Sequence, residues 1–126
     1  MQLERRQAER DRRHDGRISA VFAVCNRIGA RVQLGQGEDI APSGITLRRP
    51  RDVPVVPHTP LTLLFDLPGA GARISVRGLV ITDRRSGPFR RTGVRFTEIS
   101  PESAALLAEF CAHRGLGPRG MTMNPR

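Results

Sequence analysis

The sequence predicts a mostly β fold: a small antiparallel barrel or sandwich with one C-terminal α-helix packed on it. Short segments with apolar residues at period two recur along the chain. Turn residues separate them, and only one segment, near the end, has helical spacing. A length of 126 residues suits one domain with a modest core.

The elements follow in order. Ile18, Ala20, Phe22 and Val24 alternate and predict the first strand. Ile28 to Leu34 predicts a second, with Gly29 and Gly35 near its ends and Gly35 to Asp39 read as turn chemistry. Ile45 and Leu47 alternate with Thr46 and Arg48 in a third. Prolines at 50, 54, 57 and 60 predict an extended loop or edge, because proline lacks the N–H that a ladder needs. Leu61 to Leu67 is a compact apolar strand closed by the turn Pro68-Gly69-Ala70-Gly71. Ala72 to Thr82 alternates again, with Gly78 marking a bulge or bend. Asp83 to Pro88 reads as a charged turn, and Thr92 to Thr97 as the last strand. Ser100 then offers an N-cap, Pro101 suits the first helical position and Glu102 favours the positive helix end. Ala104, Leu107, Phe110 and Cys111 form one apolar stripe, ended by Arg114 and Gly115.

Composition narrows the function. The net charge is +9, and all 21 basic residues are arginine. That pattern suits a GC-rich genome, so part of the arginine count reflects codon usage. The charge still favours anionic partners: nucleotide, nucleic acid, acidic protein or anionic lipid. The sequence has no apolar run long enough to span a membrane. Met1 to Arg17 is charged and lacks the apolar stretch of a secretory signal, so a cytoplasmic location is the expectation. Cys25 and Cys111 lack metal-site spacing and are expected to be small buried hydrophobes rather than a disulfide. His14, His58 and His113 have no partner spacing and are expected at the surface. Ser19, Ser43, Ser75 and Ser86 lack a nucleophile context, and no paired carboxylates suggest acid–base work, so the chain does not read as an enzyme. A nucleic-acid-binding barrel remains a weaker alternative. Single-strand platforms stack bases on aromatics, and only 4% of the residues are aromatic.

Two motifs stand in fixed order. Arg12-Arg13-His14-Asp15-Gly16-Arg17 contains R-x-x-x-R just before the first strand, and Asp39-Ile40-Ala41-Pro42-Ser43-Gly44 follows about twenty residues on. R-x-x-x-R alone means little in so arginine-rich a chain, since Arg6 and Arg10 satisfy it too. Together the motifs resemble the signature of the PilZ family, R-x-x-x-R followed by [D/N]-x-S-x-x-G. Leu61 to Pro68 is similar to the family's mid-barrel strand, and Thr92 to Ser100 to its late strand leading into the helix. The resemblance covers residues 12 to 114.

The resemblance implies a PilZ-type β-barrel of about six strands, occupying residues 12–115. A charged, arginine-rich arm (1–11) would precede it and a disordered tail (116–126) would follow. It also implies a receptor for cyclic di-GMP that signals to a protein partner in motility, pilus or exopolysaccharide regulation. No further cofactor, specific nucleic acid or membrane insertion is expected. The matching residues suit that ligand. Arg13 and Arg17 can pair bidentately with phosphate or with guanine O6 and N7, or lie on a purine face, with Arg12 as an extra phosphate contact. Asp39 can accept from a guanine N1–H and amino group. Gly44 permits a close approach that a Cβ would block. Ala41 departs from the pattern, because the family has serine there. It is expected to face the ligand beside Asp39, so that a serine at this position would raise affinity. Ser43 points to the opposite face and does not replace it. Between Val80 and Arg85 no aromatic is available to stack on a guanine, which leaves Arg84 or Arg85 for that role. The missing hydroxyl keeps a second reading open: a PilZ-like interaction module that has lost nucleotide binding.

Overall fold

A computed structural model describes residues 18–116. The arginine arm, with Arg12, Arg13, His14 and Arg17, lies outside the described residues, as does the tail beyond Leu116. Six antiparallel strands close into a barrel: β1 (Ile18–Ile28), β2 (Arg31–Ala41), β3 (Gly44–Pro50), β4 (Pro60–Asp66), β5 (Arg73–Ser86) and β6 (Phe89–Ile99). Helix α1 (Pro101–Leu116) follows. The order around the barrel is β1-β2-β3-β6-β5-β4, with β4 returning to β1, so no strand edge is free.

Inward-facing residues build one core, in which Val24, Leu47, Leu63, Ile74 and Val80 are fully buried. The Phe22 and Phe65 rings meet there at 5.6 Å between centroids. Helix α1 adds Leu107, Phe110 and Cys111 to this core, with the Cys111 Sγ 3.9 Å from the Ile40 carbonyl. Its start is capped as the sequence predicts: the Ser103 N–H donates to Ser100 Oγ at 3.1 Å. Gly78 sits at a register shift between β5 and β6, the bulge expected of it.

Three sequence expectations need correction. Gly35 to Asp39 is not a turn but the middle of β2, and the turn between β1 and β2 falls at Gly29-Ala30. The apolar residues that marked the strand, Val32 and Leu34, face solvent, while Gly35 and Gly37 face inward. The Phe22 ring of β1 fills the space that a Cβ on Gly37 would need, so the inner face of β2 is supplied by its neighbour. Next, Asp83 to Pro88 is largely strand. β5 continues to Ser86 and β6 begins at Phe89, because the charged residues there pair across the ladder. Last, only Cys111 is a core residue. Cys25 is half-buried on the outer face of β1, and both thiols are free. His58 and His113 are exposed, as expected.

Candidate functional site

The second motif spans the end of β2, a tight turn and the start of β3. Ala41 pairs with Gly44 across Pro42-Ser43. Proline presets the first central turn position, and neither Pro42 nor Ser43 has positive φ, which fits a type I turn. The Phe96 N–H donates to the Ser43 carbonyl at 2.9 Å and anchors the turn to β6. Gly44 is required by close approach: a Cβ there would collide with the Val94 carbonyl oxygen of β6. The approach is thus between strands of the barrel.

Register sets the start of β1 beside the second motif. Ile18, the first described residue, pairs with Ile40, and Ser19 pairs with Asp39. The chain therefore enters β1 directly beside Asp39. Asp39 pairs with Thr46 on β3 and is half-buried. A register shift between Gly37 and Asp39 adds one residue to β2, which changes the phase so that Ile40 enters the core and Asp39 turns outward.

Ala41 shares Asp39's face by alternation, but it is fully buried rather than exposed. A serine hydroxyl at this position would enter a covered site, so the expected gain in affinity does not follow from simple accessibility. Arg84 and Arg85 also fall elsewhere. They pair with Arg91 and Arg90, whereas the residue level with Gly44 on β6 is Arg95 and, beyond it on β5, Leu79. Neither Arg84 nor Arg85 belongs to the hairpin that carries Asp39 and Gly44.

A second polar cluster, unmarked by any motif, lies inside the barrel at the opposite end of β3. Arg49 is 2% exposed. Its Nη1 donates to the Val53 carbonyl at 3.1 Å and lies 3.6 Å from Asp83 Oδ1, while its Nη2 donates to Gln33 Oε1 at 3.3 Å. Asp83 accepts from Thr92 Oγ1 at 2.7 Å, from Arg90 Nε at 2.7 Å and from the Val55 N–H at 3.1 Å. Burial alone pushes the Asp83 carboxyl up. The hydrogen bonds from Thr92, Val55 and Arg90, with the Arg90 charge, outweigh it and hold the carboxyl below its ordinary value. Burial lowers Arg49 from the usual arginine value, with Asp83 opposing. This cluster ties the Pro50–Pro60 loop to β5. In the sequence Asp83 falls in a segment with the composition of a charged turn, and Arg49 is one arginine among many.

Among the described residues no group of His, Cys, Asp and Glu is placed to hold a metal ion. None of the described helices is long and apolar enough to cross a membrane.

A closed six-stranded antiparallel barrel with a C-terminal helix and an Asp–Gly hairpin beside the start of β1 defines a class of small β-barrel domain. The PilZ domain family model matches residues 4–113, and the chain belongs to that family. Solved structures share the fold. The Bacillus subtilis inhibitor of motility MotI/DgrA superposes with a TM-score of 0.73 at 19% identity, covering 79% of this chain and 49% of its own. This chain thus spans about half the length of that protein. The PilZ domain of Escherichia coli YcgR, solved with c-di-GMP, gives 0.62 at 14% identity, over 76% of this chain and 86% of its own. The PilZ domain of CeSA from a cellulose-synthesizing bacterium gives 0.59 at 17% identity, over 76% and 94%. No curated protein matches the sequence.

Proposed function

We propose that this domain is a cyclic di-GMP receptor that acts on a protein partner, with no catalytic step of its own. One observation carries the reading. The β1–β2 register puts Ser19 opposite Asp39, so the segment ending in Arg17 joins the barrel at the hairpin that holds Asp39 and Gly44. The strand that follows the first motif thereby begins beside the second, which supports the reading. In this reading Arg12, Arg13 and Arg17 clasp the phosphates and a guanine, and Asp39 accepts from a guanine edge. Gly44 keeps the hairpin seated on β6. YcgR, solved with c-di-GMP, supplies the analogy for the ligand, and the motility inhibitor MotI/DgrA supplies one for the output. A cytoplasmic location and the absence of a specific nucleic-acid partner belong to the same proposal.

Calorimetric titration tests it. Cyclic di-GMP should bind the wild-type chain, and Arg17→Ala and Asp39→Ala should each lose about 1.5–3 kcal/mol while remaining folded. No heat at high micromolar ligand would instead favour the interaction module without nucleotide binding. The alanine in the family's serine position, fully buried, is the observation on that side.

A further inference from the structure

At the Pro50 end of β3 the outer barrel face carries an open groove of about 1180 Å³. Val21, Leu34, Pro50, Phe89, Arg48 and Arg51 are among its lining residues. Pro50 lies six residues beyond Gly44, about 20 Å along an extended strand, while the other end of the groove reaches Val21, two residues from Ser19, so the groove adjoins the Ser19–Asp39 pair but includes none of residues 39–44. Val21 is 67% exposed and Leu34 71%, an apolar floor open to water.

The lining carries Arg48, Arg49 and Arg51 against one carboxylate, Asp52, and the outer face beyond Arg48 continues the positive charge outside the lining itself. Arg48 pairs with Arg91, and Arg91 with Arg84, so guanidinium groups sit side by side on β3, β6 and β5. Like charges in that position repel. Glu38 relieves the first two: its carboxylate takes Arg48 Nε at 2.6 Å and Arg91 Nε at 2.9 Å. Arg84 and Arg51 have no carboxylate within ion-pair distance among the described residues. Arg48 is further oriented by the Phe89 ring, 4.9 Å from its centroid.

We propose that this groove docks a segment of a protein partner that alternates acidic and apolar side chains. Glu38 shows the local chemistry, one carboxylate held between two arginines. Further carboxylates from a partner would neutralise Arg84 and Arg51, and apolar side chains would cover Val21 and Leu34. A second copy of this chain is disfavoured by a net charge of +9. Nucleic acid would use the arginines but leave the aliphatic floor uncovered, and Phe89 is the groove's one well-exposed aromatic among the described residues. Because the barrel is closed, a partner strand cannot add to an edge, and recognition rests on side chains. The proposal deepens the reading that the domain acts through a protein partner and does not depend on nucleotide binding.

Fluorescence anisotropy with the full chain tests it. The probe is a fluorescein-labelled dodecapeptide of alternating glutamate and leucine. Comparison probes alternate glutamate with serine and lysine with leucine, and a fourth is single-stranded oligothymidylate. The glutamate–leucine peptide should bind about tenfold more tightly than each comparison probe. Leu34→Ser and Arg84→Glu, both at exposed positions, should each weaken it about tenfold while keeping the wild-type circular dichroism. Backbone NMR shifts on binding should centre on Val21, Leu34 and Arg48. Equal binding of the glutamate–serine peptide, tighter binding of the oligonucleotide, or affinity unmoved by both substitutions would overturn the proposal. So would a wild-type dimer in sedimentation that Leu34→Ser dissolves. Cyclic di-GMP titration of the same variants separates the two readings. Failure of the wild type there counts against the nucleotide site and leaves the groove standing.

Discussion

The two ends of β3 close the same barrel by different means. Near Gly44 the interior is apolar: Ile40, Ile45 and Val94 share a core with Leu107, Phe110 and Cys111 of α1. Near Pro50 the interior is ionic: Arg49, Asp83, Thr92 and the partly covered Arg90 form one hydrogen-bonded cluster. The apolar end tolerates a tight hairpin held by backbone contact alone. The ionic end needs every partner, because a buried charge left uncompensated is far more costly than an absent pair. Substitutions should therefore be felt most at the ionic end.

The largest expected effect is therefore at Asp83. Asp83→Ala strands Arg49 in the barrel and should cost about 3–5 kcal/mol, measured by urea unfolding. The cluster also sets a pH response. The folded-state value of Asp83 is depressed, so its contribution is fully present above the unfolded carboxylate value, about 3.9, and is lost as pH falls through the folded value. Acid unfolding of the wild type should steepen below about pH 4, and Asp83→Asn should flatten that limb. If Asp83→Ala unfolds like the wild type, the cluster does not stabilise that end.

At the apolar end, Gly44→Ala should cost about 3 kcal/mol, because the new Cβ meets the Val94 carbonyl oxygen and backbone must move. A neutral result would mean that the glycine serves the ligand rather than the strand contact. Ala41→Ser should cost about 1 kcal/mol of stability, since its hydroxyl enters a fully buried position.

How much of this was visible in the sequence differs between the two ends. The hairpin end was legible through its family motif, Asp39 to Gly44, although the turn was expected at Gly35 to Asp39 and falls at Pro42-Ser43. What the motif could not show was that Ala41 is covered, because a buried outer-face residue has the same alternation as an exposed one. The ionic end was illegible. Asp83, Arg84 and Arg85 precede Ser86-Gly87-Pro88 and carry the composition of a loop, while Arg49 is one of many arginines. Only the β3–β6–β5 register brings Arg49 and Asp83 together with Thr92 and Arg90 in the interior, while Arg84 and Arg85 stay exposed. β2 misled for a related reason. Val32 and Leu34 face solvent, while Gly37 faces the Phe22 ring and Gly35 the Arg48 carbonyl, cross-strand relations that no single strand encodes.

The smallest effect concerns the thiols. Burial pushes the Cys111 thiol up to about 12, so it should stay protonated and unreactive at neutral pH. Cys25 is half-buried on the outer face. A thiol reagent should modify one cysteine per native chain and both after denaturation. Labelling of both in the native state would show that α1 does not stay seated over Ile40.

The most direct test of the account is a backbone NMR titration of the full chain with cyclic di-GMP. The account predicts shifts concentrated at Ile18–Ser19 and Asp39–Gly44, with Arg48, Arg84 and Arg91 nearly unmoved. Shifts centred on Arg48, Arg84 and Arg91, with Asp39 to Gly44 silent, would contradict it and place the nucleotide at the opposite end of the barrel.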